Sequence, residues 1–81
     1  MHLVIYSKAD CHLCDDMKTI VRRVASGRDD ITVEEIDIGG DPALMDRYGL
    51  EIPVLMLDGR KIAKYRICEI ELTRLLDRHT T

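Results

Sequence analysis

In HLVIYS (His2–Ser7), apolar and β-branched side chains run together between polar flanks, which predicts a short buried strand. From Cys11 the period becomes helical. Leu13, Met17, Ile20 and Val24, joined by Cys14 and Val21, recur at steps of three and four and define one helix face. Asp15 and Asp16 in the first turn and Arg22 and Arg23 toward the end match the sign of the helix dipole, and Gly27 stops the helix. ITVEEIDI (Ile31–Ile38) predicts a second strand with Ile31, Val33, Ile36 and Ile38 apolar. Its alternation slips at Glu34–Glu35, so an exposed or bulged outer end is expected. Gly39–Gly40 breaks that strand. Asp41 then fits an N-cap, with Pro42 at the first position of a short helix that runs to Tyr48 and is closed by Gly49. Val54–Leu57 predicts a third strand, Asp58–Gly59 a hairpin turn, and Lys61–Tyr65 a fourth strand. Leu72, Leu75, Leu76 and His79 mark a C-terminal helix starting near Ile67 or Cys68.

The resulting order, βαβαββα, is an α/β arrangement. The first βαβ unit must be parallel and right-handed, and the terminal hairpin adds an antiparallel pair to the same sheet. A four-stranded mixed sheet flanked by helices on both faces follows. No repeat, low-complexity tract or linker interrupts the chain, so residues 1–81 are expected to form one domain.

Composition narrows the class. Eighty-one residues lie near the lower end of what one hydrophobic core stabilises without help, and 46% apolar content is within the globular range. With no Trp or Phe and three Tyr, aliphatic packing must carry the core. A net charge of −3 without a basic stripe argues against nucleic acid as a partner. The N-terminus lacks a basic segment followed by an apolar run, and nothing approaches the roughly 18 consecutive apolar residues of a membrane helix. A soluble monomer in the reducing cytoplasm is the expectation, and three cysteines fit it better than a secreted disulfide scaffold.

The candidate chemistry lies in YSKADCHLCDDM (Tyr6–Met17), where Cys11 and Cys14 stand two residues apart. Zinc needs four ligands, normally in two close pairs, but Cys68, His2, His12 and His79 are scattered singly. A structural disulfide between Cys11 and Cys14 would close too short a loop to constrain the unfolded chain much, and a reducing compartment would open it. The redox reading gives each position a reason. Cys11, at the junction of strand and helix, would meet unpaired backbone N–H groups and the positive end of the dipole, both of which favour thiolate. Cys14, one turn further in, would be recessed: nucleophile first, resolving thiol second. His12, if charged, would add to the support of the thiolate, whereas Asp10, Asp15 and Asp16 oppose it.

YSKADCHLC, with Ile52–Pro53 some forty residues later, resembles the glutaredoxin branch of the thioredoxin-like family, in particular its small bacterial glutaredoxin-like relatives. The resemblance covers essentially the whole chain. It implies the thioredoxin-like fold and thiol–disulfide oxidoreductase activity, with Cys11 as nucleophile and Cys14 as resolving cysteine. Lys8 is implied to support the thiolate and to meet the glycine carboxylate of glutathione. Pro53 is implied to be cis and to face the dithiol, with the backbone of Ile52 pairing with substrate, and Leu13 joins them as an apolar rim residue, together with Tyr48. Two departures stand out. His12–Leu13 replaces the usual Pro-Tyr, and KYRICEIEL (Lys64–Leu72) lacks the Gly-Gly turn and leaves the register of the acidic residues Glu69 and Glu71 open. Tyr65 or Arg66 would crowd a backbone approach that glycine permits, which weighs against glutathione binding. The expected partners are a protein or small molecule carrying a disulfide and a reductant (glutathione, a flavoenzyme or another dithiol protein), with no bound cofactor or metal. A non-catalytic binding module, or a metal carrier using Cys11, Cys14 and Cys68, is the alternative. Cys68 is otherwise read as a small buried hydrophobe.

Overall fold

The computed structural model describes residues 1–80. Strand β1, His2–Ser7, lies at the centre because both its faces are apolar: Leu3 and Ile5 point one way, Val4 and Tyr6 the other. It pairs in parallel with β2 (Thr32–Asp37) and antiparallel with β3 (Val54–Leu57), which pairs antiparallel with β4 (Arg60–Lys64). The strand order is β2-β1-β3-β4, so the two buried strands are inside and the two charged ones at the edges.

Each face of the sheet has its own core. Helices α1 (His12–Ser26) and α3 (Glu69–Thr80) cover one face, where Met17, Val21, Leu72 and Leu76 close over Leu3, Ile5, Leu55 and Leu57. The short helix α2 (Pro42–Tyr48) covers the other, with Ile38 and Tyr48 against Val54 and Met56. The Tyr48 ring stacks on Tyr6 with centroids 4.8 Å apart and is buried, so Tyr48 serves this core and not the apolar rim expected of it.

Several boundaries follow from local chemistry. β2 is one residue shorter at each end than expected. Asp37 accepts a hydrogen bond from the Gly39 N–H at 2.8 Å and turns Ile38–Gly40 into a short 3₁₀ segment, which buries Ile38 outside the strand. The slip at Glu34–Glu35 produces exposure but no bulge, since β1 and β2 stay in register from His2↔Thr32 to Ser7↔Asp37. Glu35 turns toward α1 and holds Arg22 through two hydrogen bonds of 2.8 and 2.7 Å, while Glu34 faces His2. The irregularity in the sheet lies instead between Leu55 and Met56, where β3 pairs with β4. Asp41 caps α2 by accepting from the Ala43 and Leu44 N–H groups, both at 3.1 Å. Asp58 (φ 48°) and Gly59 (φ 85°) make the two-residue turn between β3 and β4, and positive φ at both central positions is what an Asp-Gly hairpin supplies. No helix among the described residues is long and apolar enough to cross a membrane.

Candidate active site

The topology collects one end of the sheet. The C-terminal end of β1, the start of β3 and the end of β4 lie side by side, because Tyr6 pairs with Val54 and Val54 with Lys64. The chain leaving β1 therefore carries Cys11 to the same end as Ile52–Pro53, which precede β3, and as Tyr65, which follows β4.

Asp10, at φ 58°, turns the chain out of β1 and into α1. Cys11 is the N-cap residue: its backbone is extended (φ −119°, ψ 106°) and its Sγ accepts a hydrogen bond from the Cys14 N–H at 3.2 Å. Its carbonyl accepts from the Asp15 N–H at 3.1 Å, the first full helical bond. Cys11 is half-buried and Cys14 is entirely buried on the α1 face that packs on the sheet. The two are joined as a disulfide with Cα atoms 5.2 Å apart. In the reduced protein the N–H that meets Cys11 Sγ, together with the helix dipole, favours negative charge on that sulfur by about 0.3–1 kcal/mol for a group near the surface. Asp10, Asp15 and Asp16 act against it from exposed positions, where solvent screens them. Lys8 and His12 are exposed as well, Lys8 in the β1–α1 connection and His12 in the first turn. Leu13 is half-buried.

At this same end of the sheet, the Ile52–Pro53 peptide bond is cis. Pro53 is buried and Ile52 half-buried. The Pro53 carbonyl accepts from the Tyr65 N–H at 2.8 Å, whereas neither the N–H nor the C=O of Ile52 has a partner among the described residues.

The glycine-free KYRICE segment resolves unexpectedly. Tyr65 adopts φ 67°, and the Arg66 N–H closes a three-residue turn onto the Lys64 carbonyl at 2.8 Å. Positive φ costs a side-chain-bearing residue roughly 1–2 kcal/mol, so this backbone keeps a shape suited to glycine while holding a tyrosine. The phenol donates to the Leu50 carbonyl at 3.1 Å. A groove of about 250 Å³ between α1 and this segment is lined by Leu13, Met17, Ile20, Tyr65 and Ile67, with Asp16 and Arg66 at its polar side. Sequence reasoning names Tyr65 only as an obstruction. Its role as a tie is signalled just by the missing glycine.

Cys68 is exposed, contrary to the buried role expected for it. Helix α3 starts one residue later, so Cys68 sits at its N-terminus: Leu72 N–H bonds to its carbonyl at 3.0 Å and Glu71 N–H to its Sγ at 3.5 Å. Glu69 is drawn to Arg23 of α1 at 3.4 Å, while Glu71 is exposed. Among the described residues no three His, Cys, Asp or Glu side chains are grouped to hold a metal ion.

Comparison with known proteins agrees with this geometry. A family model described as Glutaredoxin-like domain (DUF836) matches residues 2–77. The structure of the protein XcR50 from X. campestris is 31% identical, covers 94% of this chain and 96% of its own, and superposes with a TM-score of 0.79. A mutant thioredoxin from Halobacterium salinarum is 26% identical over 99% of this chain and 74% of its own, with a TM-score of 0.71. Thioredoxin 1 from Thermosipho africanus, 18% identical over 99% of this chain and 94% of its own, shares the fold with a TM-score of 0.70. The four-stranded mixed sheet with its three helices is thus the thioredoxin-like fold.

Proposed function

The chain belongs to the glutaredoxin-like domain family, and from that premise we propose that it is a dithiol thiol–disulfide oxidoreductase working through Cys11 and Cys14. The observation that carries the reading is the asymmetry of the pair. Cys11 Sγ caps the helix, accepting a backbone N–H from a half-buried position, while Cys14 is wholly enclosed behind it.

The chemistry then runs in two exchanges. Cys11 thiolate attacks one sulfur of the substrate disulfide, forming a mixed disulfide and expelling the other sulfur as a thiolate, which takes up a proton. Cys14 gives up its proton and attacks Cys11 Sγ, which releases the second substrate thiol and leaves the Cys11–Cys14 disulfide. The substrate gains two electrons and the protein loses two, to be returned by an external thiol or a flavoenzyme dithiol. Lys8 supplies positive charge near the thiolate, and His12 adds to it only when protonated. Leu13 and Pro53 form the substrate contact, and Ile52 offers its unpartnered N–H and C=O to a substrate backbone as an added strand would. Glutathione is the less suited reductant, because Glu69 is engaged by Arg23 and Tyr65 occupies the glycine-like turn.

The test compares reduction of insulin and of a small disulfide by wild type, Cys11→Ser and Cys14→Ser, with thiols and zinc quantified in each. Cys11→Ser is expected at background, at least about 100-fold down, since no nucleophile remains. Cys14→Ser is expected to accumulate a mixed disulfide at Cys11, visible as an added substrate mass. Equal activity in wild type and Cys11→Ser, or one equivalent of bound zinc, overturns the reading. Rapid, stable capture of glutathione by Cys14→Ser would reverse the ranking of reductants.

A further inference from the structure

Of the three side-chain-bearing residues at positive φ, Asp58 is explained by its hairpin and Asp10 by the entry to Cys11. Tyr65 is not explained by either. A hydrogen bond between residues two apart around a positive φ is the rarer, strained form of the three-residue turn. Such conformations persist where surrounding contacts over-determine them, and they gather at functional sites. Here those contacts all run to one place. The Tyr65 N–H holds the Pro53 carbonyl at 2.8 Å and the phenol holds the Leu50 carbonyl at 3.1 Å, so one residue ties both ends of the Leu50–Pro53 segment. The ring is itself fixed, with Lys64 Nζ 5.5 Å from its centroid, and it walls the groove that includes Leu13 of the dithiol motif. Within the segment, Glu51 is held by its N–H on the Tyr48 carbonyl at 2.8 Å and by Lys61 at 2.6 Å, and Pro53 is buried. Leu50, however, is 93% exposed and Ile52 has no backbone partner among the described residues, so Tyr65 supplies the bonds at the two ends.

We propose that Tyr65 is a positioning residue for disulfide exchange, a two-point tie that holds the Leu50–Pro53 segment in the conformation that receives a polypeptide substrate beside Cys11. The proposal rests on the oxidoreductase reading. Tyr65 does not touch the reacting sulfurs. It keeps the unpartnered Ile52 N–H and C=O in a fixed place, so that a substrate chain finds an ordered edge and does not have to order one on binding. The strained turn is retained because glycine at this position would keep the backbone tie and lose the phenolic one.

The test uses Tyr65→Phe, which removes the bond to Leu50 and leaves the ring and the turn, and Tyr65→Gly, which also relieves the positive φ. With a disulfide-bonded polypeptide as substrate, Tyr65→Phe is expected to raise KM about three- to tenfold, as loss of one hydrogen bond implies, with kcat held within about twofold. Amide hydrogen exchange at Glu51, whose N–H is bonded to the Tyr48 carbonyl at 2.8 Å next to the released Leu50 carbonyl, is expected to quicken by a similar factor. In Tyr65→Gly the KM effect is expected to be at least as large, while the thermal midpoint is unchanged or higher. A fall in kcat that tracks a lowered midpoint in both variants would mean a merely structural role and overturns the proposal. So does an active wild type whose KM and exchange Tyr65→Phe leaves unchanged, with the oxidoreductase reading intact. A wild type inert toward both the polypeptide and a small disulfide overturns that reading and the proposal with it.

Discussion

Asp58 joins three parts of the chain through one carboxylate. Oδ1 accepts the His2 N–H at 2.8 Å, Oδ2 lies 2.7 Å from His79 Nε2, and the residue itself begins the β3–β4 turn. The His2 N–H, helped by His79, holds its pKa below the usual carboxylate value; Lys61 does the same for Glu51 through a 2.6 Å ion pair. A carboxyl group whose folded pKa is depressed contributes stability above its unfolded value, near 4, and loses it as the pH falls through the folded value. Urea unfolding is therefore expected to show stability declining below about pH 4. In Asp58→Asn the decline should be shallower, because the side chain no longer titrates while Asn-Gly still suits the turn. An unchanged pH slope in that variant would remove Asp58 from the account. At this same scale, the two cysteines are legible from spacing, since CxxC at the head of a helical period admits few chemistries. The exposure of Cys68 is not, because one residue's difference in where α3 starts moves that side chain from core to surface.

The elements owe their ends to punctuation residues, and these are the positions most legible in the sequence. Gly59 supplies φ 85° in open space, with nothing within 4 Å of the point a side-chain methyl would occupy, so a substitution there tests conformation without a clash. Gly59→Ala is expected to destabilise by about 1 kcal/mol through the left-handed backbone alone. Gly40→Ala, equally uncrowded and without positive φ, should be near neutral. Equal thermal midpoints for the two variants would contradict the turn assignment. The slipped alternation of β2 does signal exposure, but the bulge alternative falls to its position at the sheet edge, where Glu35 finds Arg22. The irregularity at Leu55/Met56 leaves no trace in the sequence. VLML is buried at all four positions, so it has no alternation for a bulge to interrupt.

At the scale of the molecule, α3 is what completes the larger core: Leu72 and Leu76 are fully buried against the sheet and α1, while Ile70 on the same helix is 73% exposed. Leu72→Ala is expected to cost about 2–5 kcal/mol, a large share of the roughly 5–15 kcal/mol that stabilises a typical domain, and Ile70→Ala within about 0.5 kcal/mol. Chemical denaturation of both variants checks this, and similar losses in the two would mean that α3 is packed by another face. The sequence carried the element order, the mixed sheet and the CxxC pair, because periodicity, turn residues and motif spacing are local and each is written in neighbouring positions. It could not carry which residues from distant strands would share one end of the sheet. That follows from strand order and register, which set Tyr6, Val54 and Lys64 side by side although more than forty residues of chain separate the first two. The two hydrogen bonds by which Tyr65 holds Leu50 and Pro53 exist only once that register is set, since they join backbone groups 12 and 15 residues away in the chain.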